Sequence, residues 1–161
     1  MKLIYLSLGS NLGVREQHLD HAVQLIGSRV GRIEAVSPYY KSPAWGFASE
    51  NWFCNCCLSL RSQLQPIPLL DQLLEIEKKM GRERRGKAYS DRIIDIDLLL
   101  YGDRRMEHSR LSLPHPSMGD RRFVLLPLAD IAPDLLHPVS GISISQMLQD
   151  CSDQSEVTPM I

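Results

Sequence analysis

The sequence predicts an α+β fold, in which an antiparallel-rich sheet is covered by helices. Three observations support this prediction. Several segments carry the alternating or continuous apolar residues of strands, two segments carry apolar residues at helical spacing, and Gly or Pro lies where one pattern ends. The 161 residues are about one domain's worth, so we expect a single domain over residues 1–161.

The predicted elements follow the order strand, helix, strand, strand, helix, strand. They lie at residues 2–8, 14–28, 32–41, 52–63, 66–80 and 93–101. This order is the ferredoxin-like βαββαβ pattern, and short C-terminal helices are added near residues 121–128 and 144–149. The polar tail, residues 152–161, is expected to be frayed.

Composition and charge exclude several classes of protein. The net charge is −1, so no overall field attracts nucleic acid or a membrane surface. No signal peptide and no apolar run of the roughly 18 residues needed for a membrane span is present. Cys54, Cys56 and Cys57 are too close together to be good disulfide partners, which favours a reduced, cytoplasmic protein. A zinc site is the less favoured alternative, because Cys-x-Cys-Cys lacks the usual paired spacing.

Two carboxylates lie on one predicted strand. Asp95 and Asp97 share a face, roughly 6.5–7 Å apart along the strand, while their apolar neighbours point the other way. Two acids on one face repel each other, and a divalent cation removes that penalty; oxygen ligands with room for water suit Mg²⁺. The alternatives are an edge strand with a solvated polar face, or a simple Asp–Arg pair. Metal-dependent sugar transferases also carry Asp-x-Asp.

A basic segment comes directly before this strand. Residues 82–92 include five basic and two acidic side chains, and arginine forks match phosphate oxygens. This predicts a lid that brings positive charge over a polyphosphate; a solvated charged loop is the alternative. A second basic set surrounds the turn at residues 114–116. It comprises Arg110, Ser112, His115, Arg121 and Arg122.

One face of the strand at residues 52–63 carries Phe53 and Asn55. An aromatic ring beside an amide can stack a planar heterocycle and bind its polar edge, and Phe123 could supply the opposite wall. The alternative is that Phe53 and Phe123 are ordinary core residues.

Together, these residues resemble the 6-hydroxymethyl-7,8-dihydropterin pyrophosphokinases of folate biosynthesis. The resemblance runs from residue 9 to about residue 138, in several blocks that keep the family's order. The blocks are Gly9-Ser10-Asn11-Leu12, Ser42-Pro43-Ala44-Trp45-Gly46, Phe53-x-Asn55, Gly81-Arg82-x-Arg84, Arg92-Ile93-Ile94-Asp95-Ile96-Asp97-Leu98-Leu99, and Arg110-Leu111-Ser112-Leu113-Pro114-His115 followed by Met118, Arg121 and Phe123.

The resemblance implies a reaction, a cofactor and a set of site residues. The β,γ-pyrophosphoryl group of ATP, the co-substrate, would pass to the pterin's hydroxymethyl oxygen, releasing AMP. Asp95 and Asp97 would bind two Mg²⁺ ions, and Arg82 and Arg92 would steady the transferring phosphates. The implied ATP-binding residues are Leu70, Glu77, Arg84, Leu98, Arg110, Ser112, His115 and Arg121. The implied pterin-binding residues are Ser42, Pro43, Ala44, Trp45, Phe53, Asn55 and Phe123. The partners would then be these two small molecules, and we expect a monomer.

The sequence departs from the family pattern at two points. The signature often has Gly-Pro directly before its Arg, whereas here Ser90-Asp91 precedes Arg92. Asp91 could weaken phosphate attraction or alter how the loop closes. Pro116 stands where some members have Tyr.

Two alternative functions remain open from the residues alone. One is a non-catalytic ferredoxin-like module that binds a nucleotide or another ligand; the other is a metal-dependent sugar-nucleotide transferase. Formation of AMP from ATP, Mg²⁺ and the hydroxymethylpterin separates the enzyme from both.

Overall fold

The fold is organised around a six-stranded antiparallel sheet. A computed structural model of the chain describes residues 1–45, 49–81 and 91–160. Within these residues the strand order is β5-β1-β4-β3-β8, and β2 also pairs with β4. The strands are β1 (Lys2–Ser10), β2 (Arg32–Val36), β3 (Tyr40–Ser42), β4 (Phe53–Ser62), β5 (Asp95–Tyr101) and β8 (Thr158–Pro159); β6 (Met106–Glu107) and β7 (Ser112–Leu113) form a separate two-stranded sheet.

Helices cover both faces of the large sheet. They are α1 (Arg15–Arg29), α2 (Pro66–Lys79), α3 (Arg122–Ile131) and α4 (Ile144–Asp150), and a short 3₁₀ turn at Met118–Asp120 precedes α3. The predicted α+β class, with mixed helices and an antiparallel sheet, is confirmed. The predicted strand at 32–41 is two strands, because Ser37 leaves the ladder to bond Cys57 at both its backbone and its hydroxyl, and Pro38 has no N–H to donate.

Two hydrophobic layers follow from the alternation of side chains along β1 and β4. Leu6 and Leu8 of β1 pack with Leu58 of β4 under α1 and α2. Tyr5 and Cys57 point to the opposite face and pack under α3 and α4. The predicted carboxylates and the Phe53–Asn55 pair point to the face that carries α3, whereas the predicted Leu98 points to the other face.

The clustered cysteines are packing residues. Cys54 and Cys56 face α1 and α2, whereas Cys57 faces α3, so the three thiols do not converge. All of them are free and buried, and burial raises the pKa of the Cys54 thiol to about 12. No group of three or more His, Cys, Asp or Glu residues suited to a metal ion occurs in the described part of the chain. The zinc alternative therefore has no geometric support.

Fraying is predicted for residues 152–161, but residues 152–160, which the structure describes, contact the rest of the chain. Thr158 pairs with Lys41 of β3, and the Met160 N–H donates to the Tyr39 carbonyl at 2.9 Å. Asp153 accepts the Arg122 N–H at 3.0 Å and so caps the start of α3. The prediction was wrong because tail polarity says nothing about a distant strand edge or an uncapped helix.

In the described part of the chain, no helix is long and apolar enough to cross a membrane.

A close backbone contact gives a stability test at Gly31, between α1 and β2. A Cβ added there would lie 2.2 Å from the Arg61 carbonyl oxygen. We expect Gly31→Ala to lower the free energy of unfolding by about 1–3 kcal/mol, because a backbone carbonyl inside the β2–β4 pairing cannot move aside freely. Urea unfolding followed by circular dichroism measures this.

Gly27→Ala, within α1, is the matched control. Its new methyl would meet only the tip of Ile33 at 3.4 Å, and alanine favours the helix by up to about 1 kcal/mol. Equal stability of the Gly31→Ala variant and the unmodified chain would contradict the steric argument.

Candidate active site

The register of the sheet brings distant residues into two rows on the α3 face. Gly9 of β1 lies opposite Asp95 on one side and opposite Asn55 on the other. Two residues earlier, Ser7 lies between Asp97 and Cys57. Side chains paired in this way point to the same face, so the predicted metal ligands and the predicted stacking strand share one surface.

The two carboxylates of β5 point to this face, as predicted. Asp95 and Asp97 are partly exposed, at 25% and 30% of their side-chain surface, while Ile96 between them is buried. Each lies beside a buried arginine. Arg92 Nη1 is 3.3 Å from Asp95 Oδ2, and Arg121 Nη1 is 3.5 Å from Asp97 Oδ2. The edge position of β5 and these ion pairs are also what the simpler explanation of Asp-x-Asp predicts, so the carboxylates alone do not decide the function.

A buried amide holds the backbone of Arg92. Asn11 Oδ1 accepts the Arg92 N–H at 2.6 Å, and the Asn11 N–H donates to the Arg92 carbonyl at 3.1 Å. The Asn11 side chain is fully buried. This role of Asn11 was not predicted from the sequence, because its partner lies 81 positions away.

Aromatic residues form the other part of the surface. The Arg121 guanidinium carbon lies 4.5 Å from the centre of the Trp45 ring and 5.8 Å from that of Phe123. Phe53 and Phe123 are both only partly buried, and Phe123 also packs against the core under α3 and α4. Asn55 is buried, and its Nδ2 donates to the Ser42 hydroxyl at 2.6 Å.

Gly9 of β1 forms the surface between the carboxylates of β5 and the aromatic residues. A Cβ there would lie 3.0 Å from Asn55 Oδ1 and 3.5 Å from a ring carbon of Phe53. Gly9 lies just beyond the strand predicted at residues 2–8, whereas in the structure it belongs to β1 and its missing side chain leaves the surface open. The signal that could have revealed it is a glycine inside a strand pattern, which often marks a close approach.

On the outer edge of β5, backbone groups form hydrogen bonds with a side chain and with a loop rather than with another strand. The buried Glu77 carboxylate of α2 accepts the Ile96 N–H at 2.7 Å. The His115 N–H, just after β7, donates to the Leu99 carbonyl at 2.9 Å. Glu77 and His115, two predicted ATP-binding residues, therefore lie along the same edge, and the predicted Leu98 is buried in the core beneath it.

His115 is held in one tautomer. Its Nδ1 accepts the Ser117 N–H at 3.1 Å, so the neutral ring carries its proton on Nε2. Burial lowers the pKa of His115 to about 4, with a further contribution from the Arg121 charge, which outweighs the attraction of Asp95. The ring is neutral at pH 7.

The remaining predicted residues divide into three groups. Leu70 and Ser112 are partly buried, and the exposed Arg110 forms an ion pair with Asp71 of α2. Ser42 is the last residue of β3 and leads directly into Pro43, Ala44 and Trp45. Arg82 and Arg84, and the Ser90 half of the Ser90-Asp91 departure, lie outside the described residues.

Comparison with known proteins identifies the family. Residues 5–133 match the model of the 7,8-dihydro-6-hydroxymethylpterin-pyrophosphokinase (HPPK) family. The chain belongs to this family. A Porphyromonas gingivalis protein named 2-amino-4-hydroxy-6-hydroxymethyldihydropteridine pyrophosphokinase is 44% identical over 141 residues, which cover 86% of this chain and 95% of the relative. Proteins of the same name from Synechocystis and Haemophilus influenzae are 42% and 34% identical, over 94% and 95% of this chain and 78% and 95% of their own lengths.

Solved structures show the same fold. The wild-type HPPK-DHPS of Plasmodium falciparum superposes with a TM-score of 0.75 over 92% of this chain, at 15% sequence identity. This chain spans only 44% of that one. At this identity the similarity establishes the fold and nothing further.

The partly buried His115 of this HPPK-family chain generates a pH prediction. The folded-state pKa of about 4 lies below the ordinary 6.5, so the unfolded chain binds more protons between those values. His115 therefore lowers the free energy of unfolding as the pH falls through this window. We expect His115→Asn to remove roughly 1–3 kcal/mol of the stability difference between pH 7 and pH 4.5, measured by urea unfolding at both pH values.

His21→Asn, on the exposed side of α1, is the control and should leave the pH dependence unchanged. A His115→Asn variant with the same pH dependence as the unmodified chain would show that His115 is not held neutral by the fold.

Proposed function

We propose how this chain performs the reaction of its family, the transfer of the pyrophosphoryl group of ATP to 6-hydroxymethyl-7,8-dihydropterin, a step of folate biosynthesis. One observation carries the proposal. The register of β5, β1 and β4 places two carboxylates beside a partly exposed aromatic surface, with Gly9 between them. A phosphate subsite and a ring subsite would then adjoin on one face, as transfer between ATP and a pterin requires.

Asp95 and Asp97 are proposed as the Mg²⁺ ligands. Mg²⁺ is commonly bound through one or two carboxylates, and substrate phosphates and water complete its shell. The described residues fit that pattern, because no third acid or histidine joins the pair. We propose two ions, as the resemblance implies. When bound, Mg²⁺ would neutralise phosphate charge and help align the attacking and leaving oxygens.

The two buried arginines have a role that follows from charge balance. Arg92 and Arg121 neutralise Asp95 and Asp97 in the structure. Once those carboxylates hold cations, each guanidinium can turn to phosphate oxygens, which its planar fork fits. Arg82 is proposed to act with Arg92, and Arg84 to bind ATP, on the strength of the resemblance alone.

The ring subsite is proposed between Phe53 and Phe123. A planar cation, the Arg121 guanidinium, already lies against Trp45 at stacking distance, which supports a slot for a flat heterocycle. Asn55, anchored by Ser42, would bind the polar edge of the pterin. Pro43 and Ala44, between Ser42 and Trp45, would line the same slot.

The ATP subsite is proposed along the outer edge of β5. The Nε2–H of neutral His115 can donate to a phosphate oxygen without adding charge. Arg110 forms an ion pair with Asp71, which follows Leu70 in α2, and Glu77 bonds the edge of β5. Ser112 of β7 follows Arg110 by two residues and is proposed for the same subsite. Leu98 supports this edge from the core.

We also assign the core to the ferredoxin-like βαββαβ pattern. The strand order β5-β1-β4, with the split pair β2 and β3 beside β4, supports this assignment. Monomeric state and cytoplasmic location stay predictions from the sequence.

AMP formation tests the proposed function. The protein is incubated with ATP, Mg²⁺ and 6-hydroxymethyl-7,8-dihydropterin, and AMP and the pterin diphosphate are quantified. We expect Asp95→Asn and Asp97→Asn each to lower kcat roughly a hundredfold or more, because each removes charge stabilisation equivalent to about 3 kcal/mol.

Asp103→Asn is the matched control, since this exposed acid follows β5 directly and lies outside the site. Binding of ATP without AMP formation would favour the non-catalytic module instead. Full activity of the Asp97→Asn variant would refute the metal assignment.

Gly9 gives a second test, directed at the ring subsite. Gly9→Ala places a methyl 3.0 Å from Asn55 Oδ1, so Asn55 must shift from Ser42. We expect the KM for the pterin to rise roughly threefold to tenfold, as for loss of one hydrogen bond, while the KM for ATP stays near its original value. Steady-state kinetics measure both constants. Gly119→Ala, whose methyl would meet only the tip of Met147, is the control.

A further inference from the structure

The carboxylate of Asp91 joins three segments of the chain. Its Oδ1 accepts from Asn11 Nδ2 at 2.7 Å and from the Ser49 hydroxyl at 2.7 Å. Its Oδ2 accepts from Asn51 Nδ2 at 3.0 Å. The partners lie 80, 42 and 40 positions away, so these contacts are tertiary rather than local.

Each end of this cluster leads to a part of the proposed site. Asp91 and Asn11 are both joined to Arg92, one by the peptide bond and the other by hydrogen bonds to its backbone. Asn51 lies two residues before Phe53, at the entry to β4, and Ser49 braces it by accepting the Asn51 N–H at 3.1 Å. Asp91 is therefore the connection between the phosphate side and the ring side.

An aspartate suits this connection chemically. An ionised carboxylate is an acceptor with two oxygens, and all three of its partners here are donors. The hydrogen bond from Ser49, followed by those from Asn11 and Asn51, lowers the pKa of Asp91, so the acceptor stays charged at neutral pH. A proline, frequent at this position in the family pattern, has no side-chain acceptor and could not make these contacts.

We propose that Asp91 is a positioning residue, which fixes the segment leading into Phe53 and Asn55 relative to Arg92. The inference rests on the proposed ring and phosphate subsites. It assigns a structural purpose to the position at which this chain departs from the family pattern. Asp91 acts through its neighbours and contacts neither substrate.

The proposal predicts which kinetic constant changes. In Asp91→Ala the backbone of Arg92 is still held by Asn11, whereas the segment at 49–51 loses its anchor. We expect the KM for the pterin to rise roughly threefold to tenfold, while kcat and the KM for ATP change less than about twofold. A defect confined to kcat, or unchanged constants, would overturn the proposal.

Exchanging the residues at positions 51 and 91 separates loss of the hydrogen bond between Asp91 and Asn51 from general loss of structure. Asn51→Asp alone places two carboxylates face to face, so the KM for the pterin should rise as in Asp91→Ala. The double variant Asp91→Asn with Asn51→Asp restores a donor and an acceptor with their roles exchanged, and we expect its KM to return to within about twofold of the original. Additive effects of the two substitutions would contradict a direct contact.

Glu50→Gln is the control for charge. Glu50 is exposed, lies between Ser49 and Asn51, and has no hydrogen bond or ion pair with any residue that the structure describes. Glu50→Gln removes one negative charge from the segment that Asp91 contacts, and it should leave all constants unchanged. An effect equal to that of Asp91→Ala would mean that charge alone is responsible, and would overturn the proposal.

Hydrogen exchange of the protein without substrates gives a readout that does not depend on the reaction. Backbone amides in peptides from residues 49–57 should exchange faster in Asp91→Ala than in the unmodified chain, with peptides from α1 as the internal reference. Unchanged exchange overturns the role of Asp91 even if AMP is formed. If the unmodified chain forms no AMP, the proposed function fails. Faster exchange in Asp91→Ala would still support the positioning role of Asp91.

Discussion

The pairing of β1 with β5 on one side and β4 on the other is the constraint on which the site depends. Neighbouring strands lie about 4.8 Å apart, so Asp95 and Asn55, on either side of Gly9, are held roughly 10 Å apart. A slip of one residue would turn both side chains to the opposite face. The buried residues Ile96 of β5 and Cys56 of β4 oppose that slip, because they pack under α1 and α2.

Charge is the second constraint, and it explains why the site is rich in arginine. Two carboxylates on one face of a strand are costly without positive charge nearby. Arg92 and Arg121 supply that charge from opposite directions, one from the segment before β5 and one from the start of α3. In the proposed function the same two residues would meet phosphate once cations occupy the carboxylates, so one arrangement would serve the free and the loaded enzyme.

The supports of these arginines come from distant parts of the chain. Asn11 holds the backbone of Arg92, and Asp153 in the C-terminal tail caps the helix that follows Arg121. Asp91 links the first of these supports to the entry of β4. Asn11 and Asp153, both far from the carboxylates in sequence, therefore help to hold the partners of the carboxylates, which is the usual way in which a site gains precision.

The order of elements and the alternation along single strands were readable from the sequence, because both depend on neighbours one to four positions apart. Asp95 and Asp97 on one face, and Phe53 with Asn55 on another strand, follow from a period of two. The blocks around them also sufficed to suggest the family. The tertiary structure alone decided that the two strands flank Gly9, that the tail pairs with β3, that Asn11 holds the backbone of Arg92, and that Asp91 bonds Asn51. These contacts join residues 40 to 120 positions apart, and register, burial and hydrogen bonding across such separations leave no periodic trace in the chain.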